Sequence, residues 1–256
     1  MKKSLFLAVL IMATLGLRAQ VNIQEMYDFN RGHFTTTLEM FKADKWGSTF
    51  FFNDIYHPND FTFPTDYYTE IARSINFWQD SKLGALSAHV EWNGGVGYPG
   101  FGYGVSNCWL FGAEYFLHNS DFSNTFTFEL MYKRINTLIK SNTDYIPIQF
   151  TFVWGMNNLF GVKGLTFSGF LDVWGETNSW VVKDNSLLGY HSETTDWVIL
   201  SEPQLWYNIG QHFGCENLNI GGEVELAYNF TGAYPSAYND RKGFTFAPAA
   251  GIKWNF

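Results

Sequence analysis

Residues 244–256 constrain the fold most. One parity reads Phe244, Phe246, Pro248, Ala250, Ile252, Trp254, Phe256, and the other reads Thr245, Ala247, Ala249, Gly251, Lys253, Asn255. Alternation with period two over this length describes a strand with one apolar face and one polar or small face. A soluble domain gains little by ending on an exposed Phe. The closing strand of a membrane β-barrel does gain, because it carries aromatics at the membrane rim and turns its polar parity to a lumen.

Other segments repeat the pattern. Leu86, Ala88, Val90 and Trp92 oppose Ser87, His89, Glu91 and Asn93. Asn124, Phe126, Phe128, Leu130 and Tyr132 oppose Thr125, Thr127, Glu129, Met131 and Lys133, and Ile220 to Tyr228 alternates in the same way. A helical template fits nowhere for long after residue 20, since Gly, Asn, β-branched and aromatic residues interrupt every candidate. The spacing predicts about twelve strands, over 21–30, 33–42, 46–56, 67–78, 84–93, 104–118, 122–134, 145–155, 163–174, 196–208, 217–229 and 244–256. The third is ambiguous, with Phe50, Phe52 and Asp54 on one parity and Phe51 and Asn53 on the other.

Connections alternate in length. Short ones fall near 43–45, 80–83, 119–121 and 157–161, and longer ones near 57–65, 94–103, 135–143, 176–195 and 231–243. The link at 211–216 is intermediate, and the link at 30–32 is too short for its long slot. Short periplasmic turns and long extracellular loops give this pattern in outer-membrane barrels. An even strand count puts both ends of the barrel on one side. Composition agrees: aromatic residues are 20% and charged residues only 16%, against about 25% charged in an ordinary soluble domain. The expectation is an all-β fold, a single transmembrane antiparallel up-and-down β-barrel of about twelve strands over 21–256, in contact with outer-membrane lipid.

Residues 1–20 read as a signal peptide, with Lys2 and Lys3 before the apolar run Leu5–Leu17 and Ala19 before the cut. That run is too short for a spanning helix. Its removal takes away Lys2, Lys3 and Arg18 from a chain whose formal charge is already −8. So acidic a chain disfavours a nucleic acid polymer as partner. Cys108 lies in a predicted strand and Cys215 in a predicted turn, at different heights, which argues against a disulfide. No Cys/His spacing of a zinc site occurs, and no cofactor is implied.

The inward parities collect Glu39, Glu70, Glu91, Glu114, Glu129, Asp172, Glu202, Glu223 and Glu225, with His89, Lys133 and Lys253 among them; Asp54 joins this set if its parity is the inner one. Such residues either line a selective polar lumen or fill a small barrel with mutual ion pairs. Ser87 and His89 share a face, as a barrel lipase would need. Positions i and i+2 on one strand are poorly placed for a direct hydrogen bond, and no orienting acid follows, so the reading is not an enzyme. The glycines from Gly94 to Gly104 precede a strand, not the helix that a phosphate cradle requires. Two alternatives stay open: a non-conducting barrel, whether adhesin, structural protein or lipid enzyme, and a secreted β-sandwich whose apolar parities face a second sheet.

Three stretches resemble the Tsx-type nucleoside-specific channels of Gram-negative outer membranes. They are Phe41-Lys42-Ala43-Asp44-Lys45-Trp46 with Phe50-Phe51-Phe52-Asn53-Asp54, then Tyr68-Thr69-Glu70-Ile71-Ala72-Arg73-Ser74-Ile75 with Asp80-Ser81-Lys82-Leu83, and the ending Gly251-Ile252-Lys253-Trp254-Asn255-Phe256. The resemblance implies a monomeric barrel of roughly twelve strands with a narrow pore for nucleosides. Under it, Phe170 and Trp174 beside Asp172, and Trp206 near Glu202, would stack on a base while carboxylates take sugar hydroxyls; the plainer reading is rim or packing aromatics. Arg73 matches the family's arginine after the Glu, yet its parity opposes Glu70, so a bulge or a rim position is expected.

Overall fold

The strands that the alternation predicts pair into one continuous sheet. We describe a computed structural model over residues 20–57, 64, 66–96, 107–136, 146–183, 187, 189–230 and 243–256. The strands are β1 (Gln20–Asp28), β2 (His33–Asp44), β3 (Gly47–His57), β4 (Asp66–Ile75), β5 (Leu86–Val96), β6 (Asn107–His118), β7 (Asn124–Asn136), β8 (Ile148–Asn157), β9 (Leu165–Lys183), β10 (Tyr190–Ser201), β11 (Gln204–Tyr207), β12 (Leu218–Tyr228) and β13 (Phe244–Asn255). Each pairs antiparallel with its sequence neighbour from β1 through β9. The sheet closes where β13 pairs with β1, from Asn22↔Asn255 to Asp28↔Ala249. Closure removes the free strand edges that an open sheet would expose.

β10 and β11 are two halves of one crossing, so thirteen strands make twelve passes. Glu202 and Pro203 separate them. Proline has no N–H to give to the ladder. The neighbouring strands still pair around it: Glu202 N donates to the Phe170 carbonyl at 3.2 Å, and Val224 N to the Pro203 carbonyl at 3.0 Å. Facing the break, Gly169 has φ +151°, and a Cβ there would lie 2.4 Å from the Glu202 carbonyl oxygen. Only glycine fits that position.

One end of the barrel carries short turns, over 45–46, 76–85, 119–123, 158–164 and 208–217. Side chains replace missing ladder partners there. Asp44 accepts from Trp46 N at 2.7 Å, and Asn208 from Gln211 N at 2.9 Å. Asp121 accepts from Ser123 N at 3.1 Å and from its hydroxyl at 2.8 Å. These bonds from Ser123 hold the Asp121 carboxyl below its ordinary range.

Three readings are settled or corrected. In β3 neither ladder shifts register, so Phe50, Phe52 and Asp54 share the inner parity and Phe51 and Asn53 the outer one. Residues 176–195, expected as a loop, are mostly strand: β9 and β10 pair out to Tyr190↔Lys183, with a register shift between Thr195 and Trp197. Gly94 and Gly95 belong to β5 rather than to a loop; a Cβ on Gly95 would meet the Tyr67 carbonyl oxygen at 2.2 Å. The expected signal peptide, up to residue 19, and the rest of the glycine-rich stretch up to 106 lie outside the described residues.

The outer parity is apolar along most strands. Leu130, 62% exposed, stands with Ile71, Phe111, Phe150, Ile220, Phe246 and Ile252 on that surface. Lys42, Arg73 and Arg134 occupy this parity near strand ends. Glu25 lies further in and accepts from the Thr36 hydroxyl at 2.6 Å. Among the described residues no helix is long and apolar enough to cross a membrane.

Candidate functional site

The inner parity of every strand converges on one polar interior. Register sets which residues meet. Glu39 faces Phe52 across β2 and β3, and Phe52 faces Glu70 across β3 and β4. Glu114 faces Glu129, Glu129 faces Thr151, and Thr151 faces Asp172. Glu91, Glu202, Glu223 and Glu225 share this inner parity.

Two hydrogen-bonded networks fill the space. The first surrounds a cavity of about 30 Å³ lined by Asp28, Asp54, Tyr56, Glu202, Glu223 and Glu225. That volume takes about one water-sized group. Arg31 reaches in from the turn after β1, 3.1 Å from Asp28 and in direct contact with Glu225. Thr37 donates to Asp54 at 2.5 Å, Gln204 to Glu223 at 2.9 Å, and Asn22 to Glu39 at 2.8 Å.

The second network joins β4 through β9. Tyr68 donates to Glu70 at 2.5 Å. His89 Nδ1 lies 3.1 Å from the Ser74 hydroxyl and 3.2 Å from Glu114, while its Nε2 lies 3.4 Å from Glu91. Lys133 donates to Gln149 at 2.8 Å, Gln149 to Thr151 at 3.0 Å, and Thr151 to Asp172. Buried polar groups of this kind need such partners, since each unpaired one costs roughly 1–3 kcal/mol.

The interior tryptophans match the plainer of the two readings, packing aromatics. Trp174 and Trp206 are only 4% and 2% exposed. Lys133 Nζ sits 3.7 Å from the Trp174 ring centroid, and Lys253 Nζ sits 4.4 Å from that of Trp206. Their indole N–H groups donate to Glu176 and Gln204. Cation–π contact occupies a face of each ring that base stacking would use. Phe170 shares their parity, on the same strand as Asp172 and Trp174.

Of the two expectations for Arg73 the rim position holds, which removes it from the pore-lining residues. No bulge interrupts β4, so its side chain stays on the parity opposite Glu70. Near the short-turn end it makes a two-pronged contact with Asp44, at 2.7 and 3.0 Å, and bonds Thr49 at 3.0 Å. The long side chain places its charge at the rim while its stem covers the wall.

Sequence reasoning missed Arg31 and Asp28. Arg31 lies in a turn, where nothing in the strand pattern says that it folds inward. The signal present was Asp28-x-Asn30-Arg31-Gly32, in which the Asp28 carboxylate caps the turn by accepting from Asn30 N and Arg31 N at 2.8 and 2.7 Å. It also missed an apolar patch inside the barrel, formed by Cys108, Leu110 and Met131. Cys108 and Cys215 are not joined in a disulfide. Ser87 is buried but does not bond His89; Ser74 takes that place.

Geometry therefore defines a class. A closed antiparallel barrel with an apolar outer wall and a hydrogen-bonded polar interior is a transmembrane β-barrel. Comparison with known proteins places the chain more narrowly. It belongs to the family described as domain of unknown function (DUF5020), whose model matches residues 20–256. It is also similar to a solved structure titled as the NanC porin in a rhombohedral crystal form, with a TM-score of 0.51 at 10% identity, covering 92% of this chain and 100% of that one. That likeness supports the barrel fold. No curated protein sequence matches the chain.

Proposed function

We propose that this protein is an outer-membrane channel for passive diffusion of small hydrophilic solutes, neutral or cationic rather than anionic. One observation carries the reading: among the described residues, the carboxylates of the interior greatly outnumber the fixed cations there, Arg31, Lys133 and Lys253. Rings of one charge sign raise the local concentration of the opposite sign and repel their own. The similarity to a porin supports the channel class and the outer membrane as its place. Within that class nucleosides are the proposed solute, on the strength of the Tsx-type stretches. Their binding would rest on hydrogen bonds from sugar hydroxyls to Glu39, Glu70 and Glu223, since Trp174 and Trp206 are already engaged. The monomer follows from the same resemblance.

A second reading has its own observation. Trp206, Leu110, Met131, Gln24 and Val198 are fully buried inside the wall. An interior filled to that degree suits a non-conducting structural barrel. Planar-bilayer recording separates the two. Across a KCl gradient the channel reading expects discrete conductance steps and a reversal potential with the sign of cation preference. Liposome swelling should then rank adenosine and a neutral hexose above an anionic sugar acid. Absence of steps from folded protein supports the plugged barrel, and anion preference overturns the charge argument. Adenosine entering no faster than the hexose removes the nucleoside assignment alone.

A further inference from the structure

We infer that His89, Glu91 and Glu129 form a binding site for a divalent transition cation of the Zn²⁺ type inside the barrel. The inference is independent of what the barrel conducts. One ligand atom from each of the three residues lies within 4.8 Å of the other two. His89 and Glu129 are both 7% exposed. Imidazole nitrogen with carboxylate oxygen is a donor set suited to zinc. The 3.4 Å between His89 Nε2 and Glu91 Oε2 is close to the edge of a tetrahedron with ligand bonds of about 2.0–2.2 Å.

The surroundings of the imidazole fit such a site. Carboxylates face it from both sides: Glu91 at Nε2, and Glu114 at Nδ1, with Glu129 Oε1 4.0 Å from Nδ1. With its proton on Nδ1, facing Glu114, the neutral ring turns its Nε2 lone pair toward the Glu91 carboxylate, an arrangement in which a cation between the two serves both. The Lys133 ammonium is spent elsewhere, on Gln149 and over Trp174.

Backbone geometry explains how two alternate strands reach one ion. His89 and Glu91 stand on β5 and Glu129 on β7, with β6 between them. The β6 residue opposite His89 is Gly112. A Cβ there would lie 2.1 Å from the Leu130 carbonyl oxygen, so glycine is required, and no β6 side chain stands directly opposite His89. Glu114 and Ser74 hold the ring from Nδ1 in the manner of supporting carboxylates at metal-bound histidines.

Zinc uptake by the folded, detergent-solubilised barrel tests this. After chelator treatment, calorimetric titration with Zn²⁺ should show one site per chain. His89→Gln and Glu129→Gln should weaken it by at least roughly 100-fold, and Glu114→Gln, as a positioning change, by about 10–100-fold. Heat-modifiable mobility checks that each variant is folded. If a variant fails to fold, X-ray absorption of the zinc-loaded wild type decides: a nitrogen and oxygen shell with imidazole scattering supports the site, and a shell without imidazole overturns it. No stoichiometric uptake, or uptake unchanged in folded His89→Gln, also overturns it.

Discussion

Replacing Leu130 by Arg tests the membrane reading most directly. Leu130 is the central residue of β7, six positions from either end, and is 62% exposed on the outer wall. Its ladder partners are Ala113 and Phe150, which are also on that wall. An Arg at the bilayer midplane of a barrel costs about 2–4 kcal/mol, because the guanidinium must be drawn to the interface or hydrated in place. That is roughly a 30- to 1,000-fold loss in the folding equilibrium constant. The same change near a strand end should cost only about 0–1 kcal/mol. Leu117, second from the end of β6 and 42% exposed, supplies that control. Guanidinium unfolding in phospholipid vesicles, followed by tryptophan fluorescence, measures both. In a water-facing surface the two substitutions would each fall within about 0.5 kcal/mol of the native protein. Equal costs at the two positions, or a Leu130→Arg protein as stable as the native one, would refute the lipid-facing assignment.

Three further outcomes follow from the interior. Arg31→Ala leaves Asp28 and Glu225 facing each other without their cation; with 19% exposure of Arg31 and 14% of Glu225, about 3 kcal/mol of lost stability is expected by the same unfolding assay. Trp206→Ala empties a filled position and frees Lys253, so stability should fall by about 3–5 kcal/mol while single-channel conductance rises; unchanged conductance would mean that Trp206 does not narrow the path. Gly112→Val should block refolding into detergent micelles, visible as loss of heat-modifiable mobility, because its Cβ would strike the Leu130 carbonyl.

The strands that cross the apolar layer were legible because lipid on one side and water on the other impose the period of two. β7, β12 and β13 carry it without interruption. Beyond the layer the signal ends, although the pairing does not. Residues 176–195 have no apolar parity, so they read as a loop, yet ladder pairing carries β9 on to Lys183 and begins β10 at Tyr190. β3 was ambiguous because Phe51 and Asn53 both suit an outer wall when Asn53 is paired, as it is with Thr69 at 2.5 Å. The interior set was readable as a parity but not as a network. Which carboxylate meets which partner depends on register between strands far apart in sequence, as with Glu129 and His89, forty residues apart and separated by β6. The engagement of Trp174 and Trp206 by lysines has no sequence signature at all.

Arg31 also bears on how the wall is sealed. β13 is the seam strand, joining the first strand to β12, and main-chain bonds hold it on both sides. Arg31 starts from the turn beside β1, passes over β13 and grips Glu225 on β12. It works as a buckle on a belt: the two sides of the seam are cinched by a side chain as well as by the ladder. Prying the barrel apart at this join therefore means undoing an ionic clasp before the last strand can peel away.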